Sequence, residues 1–117
     1  MENKYIEWND ILRRIKSGDT TLTSLDLSKL GLQTEQVTQL AEALVDNRVL
    51  RSLNLSTNAG RDSAIIALSY ALRSNNTLEH LDVSWNEFGP AAAVHIADTL
   101  LLNRSITSLA LEVNLKL

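Results

Sequence analysis

The sequence predicts an α/β solenoid: short parallel strands on one side, helices on the other, in about three and a half units. Three observations predict it. First, four segments share a spacing of apolar positions: Leu22/Leu25/Leu27, Leu50/Leu53/Leu55, Leu78/Leu81/Val83 and Ile106/Leu109/Leu111. Their first members stand 28 residues apart each time. Second, the columns between them keep the same period. Asn47, Asn75 and Asn103 align, as do Asn58, Asn86 and Asn114, with Leu30 breaking the second column in the first repeat. Third, the periodicity changes once per unit. It passes from alternation in Ser24-Leu25-Asp26-Leu27-Ser28 to helical spacing in Val37, Leu40, Ala41 and Leu44. A strand and a helix of this kind cannot bury their apolar faces alone, so neighbouring units must stack into one continuous core.

The elements follow in order. Tyr5, Trp8, Leu12 and Ile15 recur at helical spacing, and Leu12 lies 28 before Leu40, so residues 5–19 read as a half-repeat capping the N-terminal end. Gly18-Asp19 should end that helix. Residues 20–117 then carry the repeats, and residues 1–117 read as one domain. The Asn58 column follows the strand at a turn, where an amide can bond main-chain groups of adjacent turns that would otherwise lie buried and unpaired. The chain stops at Leu117, soon after the fourth strand, so the last strand and the third repeat's helix are expected to meet a further segment or a partner. That helix is unusually apolar, with Val94 and Leu102 where the first repeat has Thr38 and Asp46, and Leu101 aligned with Val45 and Arg73, and an exposed Val94/Leu101/Leu102 patch would mark an interface.

Composition removes several function classes. The 117 residues carry 11 Lys+Arg against 14 Asp+Glu, a net charge of -3, which argues against nucleic acid or an anionic membrane as the partner. There is no Cys, so no disulfide framework and no thiolate site. No cofactor or metal is expected. No signal-like segment opens the chain, which points to the cytoplasm, including the host cytosol in the case of a secreted effector. The N-x-[ST] matches at Asn54, Asn75 and Asn103 arise from the repeat itself and read as structural.

The strand positions that the core does not use form a second set of columns. They are Ser24/Ser52/His80/Ser108, Asp26/Asn54/Asp82/Ala110 and Ser28/Ser56/Ser84/Glu112, followed by Lys29/Thr57/Trp85/Val113. The serines read as a solvated polar face. Trp85 stands where other repeats have Lys29 and Thr57; it is either an exposed anchor for a partner or folded against Phe88 or a neighbouring loop. The candidate partner-binding residues are Trp85, His80, Asp82, Asn54, Asp26, Glu112, Arg61 and Glu87. His80, Asp82 and Ser84 share one strand face and invite a hydrolase reading. Residues i, i+2 and i+4 on a strand start ~7 Å apart, too far for a relay of ~3 Å hydrogen bonds, and no oxyanion-hole loop accompanies them. Asp26, Asn54 and Asp82 could offer oxygens to a cation but make a poor cage on a flat sheet. His95, on the third repeat's helix, is expected to face solvent.

The four aligned segments resemble the leucine-rich repeat family, pattern LxxLxLxxNxL, and the 28-residue unit with a full helix is similar to its ribonuclease-inhibitor-like subclass. That resemblance implies a right-handed superhelix with a concave sheet and convex helices. It implies a non-enzymatic protein-binding role in which the concave face occludes a partner's functional surface. The stretches Arg14-Ile-Lys-Ser-Gly-Asp-Thr-Thr-Leu, Arg73-Ser-Asn-Asn-Thr-Leu and Trp85-Asn-Glu-Phe also resemble the compact domain of the tropomodulins, which implies actin capping or scaffolding. Small bacterial effector proteins of the repeat class are similar too, and imply engagement of a host protein. Besides the concave face, the rim loops and the open C-terminal edge are expected contact surfaces, the edge also for a second copy of the chain.

Overall fold

The computed structural model describes residues 4–112, with side chains from Trp8 onward. Expectations that fall on Val113, Asn114 and Leu117, or on the Tyr5 side chain, lie outside the described residues. Eight elements follow in order: α1 (Lys4–Ser17), β1 (Ser24–Asp26), α2 (Thr34–Leu44), β2 (Ser52–Asn54), α3 (Arg61–Ser74), β3 (His80–Asp82), α4 (Pro90–Leu102) and β4 (Ser108–Ala110). The strands form one parallel sheet in the order β1-β2-β3-β4. The register repeats the sequence period: Leu25 pairs with Leu53, Leu53 with Leu81, and Leu81 with Leu109. The strands are only three residues long, yet the ladder runs on beyond them, since Leu27 N–H donates to Asn54 C=O and Leu55 N–H to Asp82 C=O, both at 2.8 Å.

Local chemistry sets the helix ends. α1 closes on Gly18 at φ 72°, with Gly18 N–H on Ile15 C=O and Asp19 N–H on Arg14 C=O. Those are the two bonds of a left-handed glycine cap. At the start of α2, Gln36 Oε1 accepts the Gln33 N–H at 3.0 Å, a reciprocal capping box. Pro90 opens α4 at a position where a missing N–H costs nothing.

The core lies between sheet and helices. Leu50, Leu55, Leu78 and Val83 from the strand side meet Val37, Leu40, Leu44, Ile65, Leu68 and Leu72 from the helices, all essentially inaccessible. Trp8, Leu12 and Ile15 of α1 are buried against α2, so the N-terminal half-repeat caps the stack as its spacing predicts. Burial fades towards β4, where Ile106 and Leu109 are half-buried. Helices need ~10 Å of spacing and strands ~4.8 Å, so the stack must curve with the sheet on its inner face.

Two rows of asparagine tie the repeats together. Asn58 Nδ2 donates to Leu27 C=O (3.0 Å) and Leu55 C=O (2.9 Å), while its Oδ1 accepts Leu32 N–H (2.9 Å). Asn86 repeats this one unit on, donating to Leu55 C=O at 2.8 Å and accepting from Gly60 N–H at 3.2 Å. The second row caps helices. Asn47, Asn75 and Asn103 donate to Ile15, Leu44 and Leu72 C=O respectively, the terminal carbonyls of the preceding helices, which have no partner within their own helix. Each also accepts the two main-chain N–H groups that lead into its strand; for Asn75 these are Thr77 and Leu78, both at 2.9 Å. The sequons at Asn75 and Asn103 are therefore occupied by the fold, as their repeat origin predicts. Among the described residues no helix is long and apolar enough to cross a membrane.

Candidate functional site

The open sheet face is built by repetition, and β1, β2 and β3 end on the same device. Asp26 Oδ1 accepts both the N–H (3.0 Å) and the hydroxyl (2.7 Å) of Ser28. Asn54 Oδ1 accepts Ser56 N–H and Asp82 Oδ1 accepts Ser84 N–H, each at 2.9 Å. An Asx side chain bonding two residues ahead fixes a turn. The Ser28 hydroxyl, then its N–H, holds the Asp26 carboxyl below the usual carboxylate range. Asp26, Asn54 and Asp82 thus each commit an oxygen to their own turn. Among the described residues no cluster of three or more His, Asp or Glu is placed to hold a metal ion.

The turn then forces a left-handed residue. Lys29, Thr57 and Trp85 have φ of 58°, 59° and 59°. Their N–H groups donate to the carbonyls of Ser56, Ser84 and Glu112 in the next repeat, at 2.9 to 3.0 Å. This conformation costs a residue with a Cβ ~1–2 kcal/mol, more where the side chain is bulky. The expected column is real, but its backbone signature was not legible, because no glycine marks it. Trp85 is 53% exposed while Phe88 lies in the core, so the exposed reading of Trp85 holds and the packed one does not.

Other candidates fall around this rim. Arg61 and Glu87, also left-handed at 62° and 60°, face each other across 3.7 Å between successive loops. Glu112 sits beside Trp85, its carbonyl accepting the Trp85 N–H. His80 is exposed at the start of β3, and no hydrogen bond joins its ring to Asp82 or Ser84 among the described residues. Ser84 corrects the expectation of a solvated serine column. It is 5% exposed, and its Oγ accepts the Glu112 N–H at 3.1 Å, because the next repeat folds over it. A buried hydroxyl that accepts from a main-chain amide is a fastener between turns, so the His80/Asp82/Ser84 relay is not assembled.

The outer face differs from expectation at His95. It is half-buried, its ring edge-on to Tyr70 at 6.0 Å, and the Arg73 guanidinium lies 5.1 Å from the Tyr70 centroid. Tyr70 on the neighbouring helix supplies the cover that the spacing of one helix could not show. Val94, Leu101 and Leu102 are exposed as predicted, Leu101 at 84%.

Sheet, register and asparagine rows define the fold as that of a leucine-rich repeat protein. A leucine-rich repeat profile matches residues 74–97, from the end of α3 into α4. Among solved structures, leiomodin-1 actin-binding site 2 superposes with a TM-score of 0.84 at 24% identity, over 87% of this chain and 60% of that one. The tropomodulin C-terminal domain from Caenorhabditis elegans also gives 0.84, at 20% identity, over 93% of this chain and 65% of the other. At these identities the likeness is one of fold, and this chain spans about two-thirds or less of the length of either structure. A comparison with curated protein sequences gives no match.

Proposed function

We propose that this chain is a non-enzymatic protein-binding module whose contact surface centres on Trp85 at the rim of the sheet. One observation carries the reading. A large aromatic side chain is held outward, 53% exposed, in a column where the other repeats place Lys29 and Thr57, and it gives the core nothing. Tryptophan is among the side chains most enriched at interface anchors. His80, Asp82, Asn54 and Asp26 extend the surface across the sheet, and Glu112, Arg61 and Glu87 extend it along the rim. Four strands at ~4.8 Å spacing offer only a few hundred Å² against the ~800 Å² per partner of a standard interface. A stable partner must therefore touch the rim loops as well as the sheet, and the β4 end offers a further surface, suited to a second copy. The module would act by occluding a functional surface of the protein it binds.

Actin is the first partner to test, because one of the superposable structures is itself an actin-binding site. In this second reading the chain is a tropomodulin-like capping or scaffold element. Co-sedimentation with actin filaments and fluorescence titration with monomeric actin, run beside a lysate pull-down, should recover a partner that Trp85→Ala weakens at least tenfold. Lys29→Ala, the same column two repeats away, should leave it nearly unchanged. Equal loss in both variants would remove Trp85 from the contact, and retention of neither actin nor any other protein would remove the binding role.

A further inference from the structure

We propose, resting on the protein-binding reading above, that Trp85 and Asp82 form an arginine-recognition site, in which the partner lays a guanidinium on the indole face and donates to the Asp82 carboxylate.

The two columns at the strand ends match in charge in every repeat but one. Asp26 is accompanied by Lys29, Asn54 by Thr57 and Ala110 by Val113, and each of these pairs is neutral. Asp82 keeps the acid of the first repeat, but Trp85 stands where its cation would be. The backbone is the same at both places. Asp26 and Asp82 each accept the N–H of the serine two residues on, at 3.0 and 2.9 Å, and Lys29 and Trp85 follow at φ of 58° and 59°. The first repeat is thus a template for the third. There the Asp26 carboxyl is lowered first by the Ser28 hydroxyl, then by its N–H, and in addition by the Lys29 charge. A cation carried at that place therefore acts on the carboxylate.

Asp82 has neither of the extra partners of Asp26. The Ser28 hydroxyl donates to Asp26 at 2.7 Å, whereas the Ser84 hydroxyl is engaged by the Glu112 N–H. Neighbouring charges do not make up the difference. Arg61 is set against Glu87 at 3.7 Å and Arg51 against Glu79 at 2.7 Å. Glu112, whose carbonyl accepts the Trp85 N–H, is itself acidic. Among the described residues no cation forms a salt bridge with Asp82, so a partner that complements this half of the rim must be positive.

The indole selects the kind of cation. A guanidinium is planar, stacks on an aromatic face within ~6 Å of the ring centre and donates a fork of N–H groups to a carboxylate; an ammonium is a point charge. The chain makes one such contact itself on its outer side, where the Arg73 guanidinium lies 5.1 Å from the Tyr70 centroid. Trp85, 53% exposed, has its ring available for the same contact from outside.

Acetylated tetra-arginine amide and tetra-citrulline amide, alike in shape and different in charge, are titrated into the full chain in low-salt buffer and followed by nitrogen–proton resonances. The Trp85 indole and the Ser84 amide should shift and saturate with the arginine peptide only. The Trp8 indole, buried and bonded to Gln39, should not move. Asp82→Asn should weaken binding about fivefold or more. The turn survives that change, since Asn54 makes it in the second repeat. Asp26→Asn removes the same charge and should alter affinity by less than about twofold. Trp85→Lys, which recreates the pair of the first repeat, should abolish the shift at Ser84. Equal shifts with the citrulline peptide, equal losses from Asp26→Asn and Asp82→Asn, or binding kept by Trp85→Lys would each overturn the proposal. So would a captured protein that Trp85→Ala weakens and Asp82→Asn does not, although the binding module would stand. Saturable arginine-peptide binding with no protein captured would instead sink the protein-binding reading and leave the guanidinium site.

Discussion

The side-chain amide of Asn75 donates to the carbonyl of Leu44, thirty-one residues upstream, at 2.8 Å, and so closes the end of a helix belonging to the previous repeat. A second bond runs to Asn47 C=O at 3.1 Å, and the Asn75 oxygen takes two main-chain N–H groups. Asn75 is fully buried, so loss of the amide takes the partner from the Thr77 and Leu78 N–H groups and one of two bonds from the carbonyls of Leu44, which keeps Asn47 N–H, and Asn47, which keeps Arg48.

Asn75→Leu should therefore cost about 3–5 kcal/mol, since each buried main-chain group left without a partner costs ~1–3 kcal/mol and not all relax. Asn103→Leu, at a half-buried position one repeat on, should cost about half as much. Urea unfolding of both variants measures the difference; equal and small losses would mean that water replaces the amide.

Trp85→Gly should stabilise the chain by about 1 kcal/mol, because glycine adopts φ near 60° without the Cβ clash. Trp85→Ala keeps the Cβ and should change stability little. The urea midpoints of the two variants decide this. A Trp85→Gly variant less stable than the alanine variant would show that the indole, not the backbone, dominates the site.

Acid should unfold the protein through its depressed carboxylates. Asp19 aligns with the Asn47 row, but it accepts from the Thr21 hydroxyl (2.7 Å), the Arg14 guanidinium (2.7 Å) and Thr21 N–H (2.9 Å), which hold its carboxyl far below the usual range. Asp26 is lowered as well. A carboxylate lowered on folding stabilises fully above its unfolded pKa of ~3.9 and loses that contribution as pH falls through the folded value. Stability should be flat from neutral pH to about 5, then fall. In Asp19→Asn the fall should be shallower, and an unchanged slope in a pH series of urea titrations would exclude Asp19 as a contributor.

Amide exchange should be slowest in α2, β2 and α3, which have a packed repeat on both sides, and fastest in β4 among the strands. Protection of β4 equal to that of β2 in dilute protein would contradict the gradient of burial.

The period of 28 made the fold legible. Once Leu25, Leu53, Leu81 and Leu109 fall in one column, the parallel register follows, and Asn58 and Asn86 make the main-chain bonds that their turn position predicts. The site was legible in part. Trp85 stood out because its column is not apolar elsewhere. Ser84 did not, since its burial comes from the Glu112 amide of the following repeat and not from anything on its own strand. His95 misled because its cover, Tyr70, sits on another helix. Asp19 was read as a helix end only. Its place at the head of the Asn47 row needed the position of Arg14, which neutralises a carboxylate where later repeats use an amide to reach a preceding helix.

The left-handed residue after β1, β2 and β3 has a consequence for variation. Its conformation is imposed by the Asx turn before it and by the carbonyl of the next repeat, and lysine, threonine and tryptophan all accept it. Shape at that place is inherited from the array, while chemistry is chosen residue by residue. The rim is thus a row of sockets about one strand apart, each holding whatever side chain is inserted at a fixed angle. A new specificity can be written there without redrawing the coil beneath it.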